Sequence, residues 1–101
     1  MELRFKIAFP HDLRKVQPPA GVIQKVSDLI CEECGGGCRR FYLTEDLEGY
    51  AAHRGPKIGW TIDGEAIFLR MSNCPAVGNV EHITRMLGLF GLSVVESRSI
   101  H

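Results

Sequence analysis

The pair Asp63-Gly64 divides two stretches of alternating apolar residues, and it limits the fold more than any other local signal in the chain. Asp-Gly is favoured in a two-residue type I′ hairpin loop, whose backbone twist matches that of the flanking strands. With that loop, Trp60 is expected opposite Ile67 and Ile58 opposite Leu69. Ile58, Trp60, Ile62, Ile67, Leu69 and Met71 then share one face, and Thr61, Phe68 and Arg70 share the other. A sheet apolar on one side needs a layer of helices to cover it.

The remaining segments supply that layer and more strands. Leu3, Phe5, Ile7 and Phe9 alternate with Glu2, Arg4, Lys6 and Ala8, which is a strand closed by Pro10. His11 to Pro19 is polar, ends on Pro18-Pro19 and is expected to be a loop. From Ala20 to Cys34, residues Val22, Ile23, Val26, Leu29 and Ile30 recur at helical spacing, and Gly35 to Gly37 stop the helix. On that wheel Cys31 falls nearly opposite the stripe and Cys34 at its flank. Arg39 to Leu43 reads as a strand with Phe41 and Leu43 inward. Residues 44–56 form either a short helix capped by Thr44 or an irregular excursion. A second helix is expected to start at Pro75, with Cys74 as its N-cap, or at Asn79, and to bury Val80, Ile83, Leu87 and Phe90. Leu92 to Ser97 is a last strand, and Arg98 to His101 a polar tail.

A chain of 101 residues with 45% apolar and 24% charged residues is expected to be a single globular domain, 1–101. The element order matches the ferredoxin-like split β-α-β arrangement, an α+β fold. It implies a largely antiparallel sheet of four to five strands with two helices on one face. Net charge is zero, so no overall field draws the chain to nucleic acid or membrane. Charges interrupt the N-terminal apolar residues, and no transmembrane-length apolar run occurs, so a cytoplasmic protein is expected.

All four cysteines lie in two places, Cys31-Glu-Glu-Cys34-Gly-Gly-Gly-Cys38 and Asn73-Cys74-Pro75. In a reducing compartment such thiols are metal ligands or redox groups more often than disulfides. The ferredoxin-like order carries the loop after the first helix and the exit of the hairpin to the same sheet edge. Cys31, Cys34, Cys38 and Cys74 are therefore expected to converge on structural zinc, which takes four thiolates in a tetrahedron. Cys-Glu-Glu-Cys-Gly is similar to one half of a zinc-ribbon knuckle, whereas Cys38 and Cys74 depart from the second half. Structural zinc contributes roughly 10–16 kcal/mol of apparent binding energy in zinc-finger peptides, comparable with the whole stability of a small domain. The rivals are an iron–sulfur cluster, since the Cys-Pro resembles the one that closes bacterial ferredoxin runs, a Cys31/Cys34 dithiol redox pair, and ordinary buried thiols.

The expected role is a binding or regulatory module rather than an enzyme. No Ser-His-Asp or Cys-His arrangement is legible, and the glycine triplet follows a helix instead of opening one. His11 and His53 are expected at the edge opposite the cysteines, and His82 off the buried stripe of its helix. Arg4, Lys6, Arg40, Tyr42, Phe68 and Arg70 are expected on the uncovered sheet face. Basic residues around aromatics suit single-stranded nucleic acid. A homodimer or another protein partner closing that face is the competing expectation.

Overall fold

The computed structural model describes residues 2–16, 18–74 and 80–100. Among these residues, five strands and four helices follow in the order β1 (Glu2–Ala8), α1 (His11–Val16), α2 (Pro19–Glu33), β2 (Arg39–Tyr42), α3 (Leu47–Ala52), β3 (Lys57–Asp63), β4 (Ala66–Ser72), α4 (Val80–Leu89) and β5 (Ser93–Ile100). They make an α+β protein with one mixed sheet of strand order β2-β3-β4-β1-β5. The pairs β3/β4, β4/β1 and β1/β5 are antiparallel, and β2 joins the edge parallel to β3.

The hairpin forms with its faces as expected but its register displaced by two. Trp60 pairs with Leu69, Ile58 with Met71 and Ile62 with Ile67. Asp63 is the last residue of its strand, so the loop is Gly64-Glu65, with Gly64 at φ +59°. A glycine in the first loop position suits the type II′ turn, and a shift of two leaves every side chain on its own face.

The helix-side face is the main core. Leu3, Phe5 and Ile7 of β1, Ile58 and Trp60 of β3, and Ile67, Leu69 and Met71 of β4 form one buried cluster with Val22, Ile23, Val26 and Ile30 of α2 and Ile83, Met86 and Leu87 of α4. Inside it the Trp60 indole Nε1–H donates to Ser27 Oγ at 2.8 Å, so the only polar atom of that ring has a buried partner. Ile62 lies past the helical cover and is 41% exposed.

Several elements differ from expectation. His11–Val16 is helical, not a loop; the Leu13 N–H reaches the Pro10 carbonyl, and Leu13 packs on the core. The helix within 44–56 starts later than Thr44, because Asp46 caps it by accepting from the Gly49 N–H at 2.9 Å. β5 continues through Arg98 to Ile100, paired with β1. The start of the second long helix at Cys74-Pro75 or Asn79 falls outside the described residues, which resume at Val80.

The largest difference is β2. Its parallel register puts Arg40 beside Ile58 and Tyr42 beside Trp60, so these two face the helices. Phe41 and Leu43 face the other way and form a second small cluster with Tyr50 of α3. Gly59 makes this possible: a Cβ there would stand 2.5 Å from the Leu43 side chain. α3 thus covers part of the far face, with the Tyr50 ring edge-on to Phe41 at 5.7 Å between centroids.

Candidate metal centre

The sheet register brings the cysteine-bearing segments to one end. Arg39, Lys57, Ser72 and Glu2 stand in a row across β2, β3, β4 and β1. Cys38 immediately precedes the first of these residues, and Cys74 follows Ser72 by one intervening residue. Two local turns aim the chain. After α2, Gly35 and Gly36 take φ +77° and +83°, and the Gly36 N–H bonds the Cys31 carbonyl at 2.8 Å. That is a left-handed helix terminus, open to glycine at no steric cost. After β4, Asn73 takes φ 58°, and its side-chain amide donates to the Arg54 carbonyl at 3.2 Å, holding the turn that presents Cys74.

The thiols meet. The Cys38 thiol interacts with those of Cys74 and Cys31, and the Cys34 thiol with that of Cys74. The Cys31 sulfhydryl also reaches the Cys38 carbonyl at 3.4 Å, and the Cys74 sulfur lies 3.5 Å from the Ser72 carbonyl. Cys31 and Cys74 are buried, Cys34 and Cys38 half-buried, and none is in a disulfide. Cys31 does not point away from the core as the wheel suggested. It follows Ile23 and Ser27 at four-residue steps and belongs to the buried face of α2.

The electrostatics of the cluster are those of four acids sharing one space. Hydrogen bonding from Cys38, with help from Cys34, outweighs burial and pulls Cys74 down to about 6. Burial and the Cys74 sulfur push Cys34 up to about 12, and the bond to Cys74 followed by burial pushes Cys38 higher still. One thiolate is therefore easily formed, and further ionisation is opposed by the first. A bound cation is what would relieve that opposition. Arg40 already leans in: its guanidinium hydrogen-bonds Cys31 and makes an ion pair with Asp28 at 2.6 Å, which together raise its own pKa against the effect of burial.

Among the described residues, no group of three or more His, Cys, Asp or Glu donors converges on one metal-sized point. The donor chemistry nonetheless fits zinc. Zinc–sulfur bonds of about 2.3 Å in a tetrahedron set neighbouring sulfurs roughly 3.8 Å apart, a contact separation for thiols. Glu33 at the end of α2 is not free to join, because its carboxylate holds His82 Nε2 of α4 at 2.6 Å.

The other residues singled out by sequence are divided between the faces. Arg4, Lys6, Phe68 and Arg70 surround a shallow hollow of about 530 Å³ on the far face, together with Glu96 and Arg98, which sequence does not mark as part of this face. Arg40 and Tyr42 are not there, since they face the helices. Arg4 and Arg70 are engaged by Glu2 at 2.9 and 3.0 Å. Burial raises the Glu2 carboxyl, but the Arg70 and Arg4 guanidiniums outweigh it and hold the pKa below its ordinary value. His53 lies next to the cysteine end, not opposite it: its carbonyl accepts from Lys57 Nζ beside the start of β3. His11 opens α1 at the other end, so the two histidines form no pair.

No described helix is long and apolar enough to cross a membrane. Comparison of the chain with protein-family models, with curated proteins and with solved structures returns no match.

Proposed function

We propose that this chain is a small metal-binding module in which Cys31, Cys34, Cys38 and Cys74 hold one structural zinc ion, and that it acts in the cytoplasm as a binding or regulatory protein. The observation that carries the reading is the contact of Cys74 with both Cys34 and Cys38, thiols from a segment distant in sequence. The strand order β3-β4-β1-β5, with α2 and α4 contributing to one core, supports a ferredoxin-like split β-α-β unit. In this reading β2 is an added parallel edge strand, and it carries Cys38 to the site from the side opposite α4.

The residues divide the work. Cys31 anchors the ion to the core side of α2, Cys34 and Cys38 curl over it through the glycine turn, and Cys74 ties it to the sheet. Four thiolates around a divalent ion leave a net negative charge, which the Arg40 guanidinium beside Cys31 offsets. When bound, zinc would supply stability rather than chemistry, because four protein ligands leave no open coordination position.

Metal analysis with an absorption spectrum of the purified protein tests this. The expected result is colourless protein with zinc, whose thermal unfolding midpoint falls sharply with a chelator. Brown protein with visible charge-transfer bands would put an iron–sulfur cluster in the same ligands. Protein without either metal, and indifferent to chelator, would end the metal reading.

A further inference from the structure

The outer edge of β5 stands out among the features the metal site does not use. β5 is a terminal strand of the sheet, eight residues long, and no described segment pairs with its outer side. The opposite edge, β2, is only four residues and carries Arg39 and Arg40. Edge strands are kept from pairing with another chain by shortness, by charge, by proline or by a bulge. Ser93–Ile100 is long and contains no proline or lysine. Its one irregularity is the register shift opposite Lys6/Ile7, which leaves Val95 out of the ladder and Glu96–Ile100 as a regular run.

Charge placement says what would pair with that run. On the far face, Arg98 stands opposite Arg4, and Arg4 opposite Arg70, so three guanidiniums line up across β5, β1 and β4. Glu2 neutralises Arg4 and Arg70. Among the described residues, Arg98 forms no ion pair. Like charges directly opposite one another destabilise a sheet, so the isolated chain carries an uncompensated cost at Arg98. A carboxylate on a strand added outside β5 would remove it.

We propose that β5 pairs antiparallel with β5 of a second copy of this chain, centred on Ser97, joining the two sheets into one. In that register Glu96 of each copy lies opposite Arg98 of the other, on the far face. The neighbouring self-pairings are excluded by charge: centring on Glu96 sets carboxylate against carboxylate, and centring on Arg98 sets guanidinium against guanidinium. A two-fold axis normal to the sheet keeps residues of like parity on one face, as an isologous interface requires. This inference does not depend on the metal centre.

Sedimentation equilibrium of the full chain, as purified, from low micromolar to near-millimolar concentration tests it. The wild-type chain should dimerise. Arg98→Glu and Glu96→Arg should each weaken dimerisation by about 10-fold or more through like-charge opposition, and the double variant should restore it. Arg98→Glu also places a carboxylate opposite Arg4, so its unfolding midpoint should match or exceed the wild type. That separates loss of pairing from loss of fold. A wild-type chain that stays monomeric throughout overturns the proposal. So does a dimer unaffected by the single reversals, or a double variant that fails to recover.

Discussion

The thiol of Cys74 rests against that of Cys38, although β2, α3 and the whole β3–β4 hairpin separate them in the chain. The sheet explains the meeting. β2 starts beside the start of β3, and β4 ends beside the start of β3, so the residue before β2 and the residues after β4 share one end. Nothing has to bend far: two glycines and one left-handed asparagine suffice to turn the thiols inward. The nearness of these two thiols is therefore a property of the fold, and a metal would draw the four sulfurs in from there.

Arg40 should tune the metal without being a ligand. Its guanidinium bonds Cys31 and is braced by Asp28. Replacing groups that hydrogen-bond metal ligands typically costs 10–100-fold in affinity. Arg40→Met is expected to retain the fold by circular dichroism and to lose zinc to a competing chelator at a concentration lower by about 10-fold or more.

Ser27 should matter through Trp60. In Ser27→Ala the indole N–H would remain buried with its 2.8 Å partner gone. Leaving one buried donor unsatisfied costs about 1–3 kcal/mol. Urea unfolding should show that loss as a lower midpoint with an unchanged slope.

Glu2 predicts an acid-side slope. Its folded pKa lies below the ordinary value because Arg70 and Arg4 hold the carboxylate. A depressed carboxyl contributes stability that is present above the unfolded pKa and lost as pH falls through the folded one. The wild-type chain should therefore lose stability below the ordinary carboxyl range, and Glu2→Gln should lose part of that slope. Chemical denaturation midpoints across the acid range measure both.

Period-two segments made the sheet legible, and the exceptions have physical causes. Leu3 to Phe9 and Ile58 to Met71 alternate strictly, so their faces followed from sequence. The hairpin register did not, because Asp-Gly fits a loop with glycine second as readily as a loop with glycine first. β2 misled because Arg39-Arg-Phe-Tyr alternates nothing: its aromatics Phe41 and Tyr42 fall on opposite faces, and α3 gives the far face its own apolar patch. The wheel misplaces Cys31 because Ser27 reads as polar, although it is buried against Trp60 and widens the core face of α2 toward Cys31. The short helix α1 has no apolar period to announce it. Arg98 could have been found by extending the last strand's alternation past Ser97.

The most direct measurement of the central claim is X-ray absorption at the zinc edge, made on the wild-type chain and on Cys74→Ser. The account predicts a wild-type shell of about four sulfurs at about 2.3 Å. In Cys74→Ser, one sulfur should be replaced by a lighter oxygen or nitrogen scatterer. A wild-type shell with fewer sulfurs, or one that Cys74→Ser leaves unchanged, would contradict it.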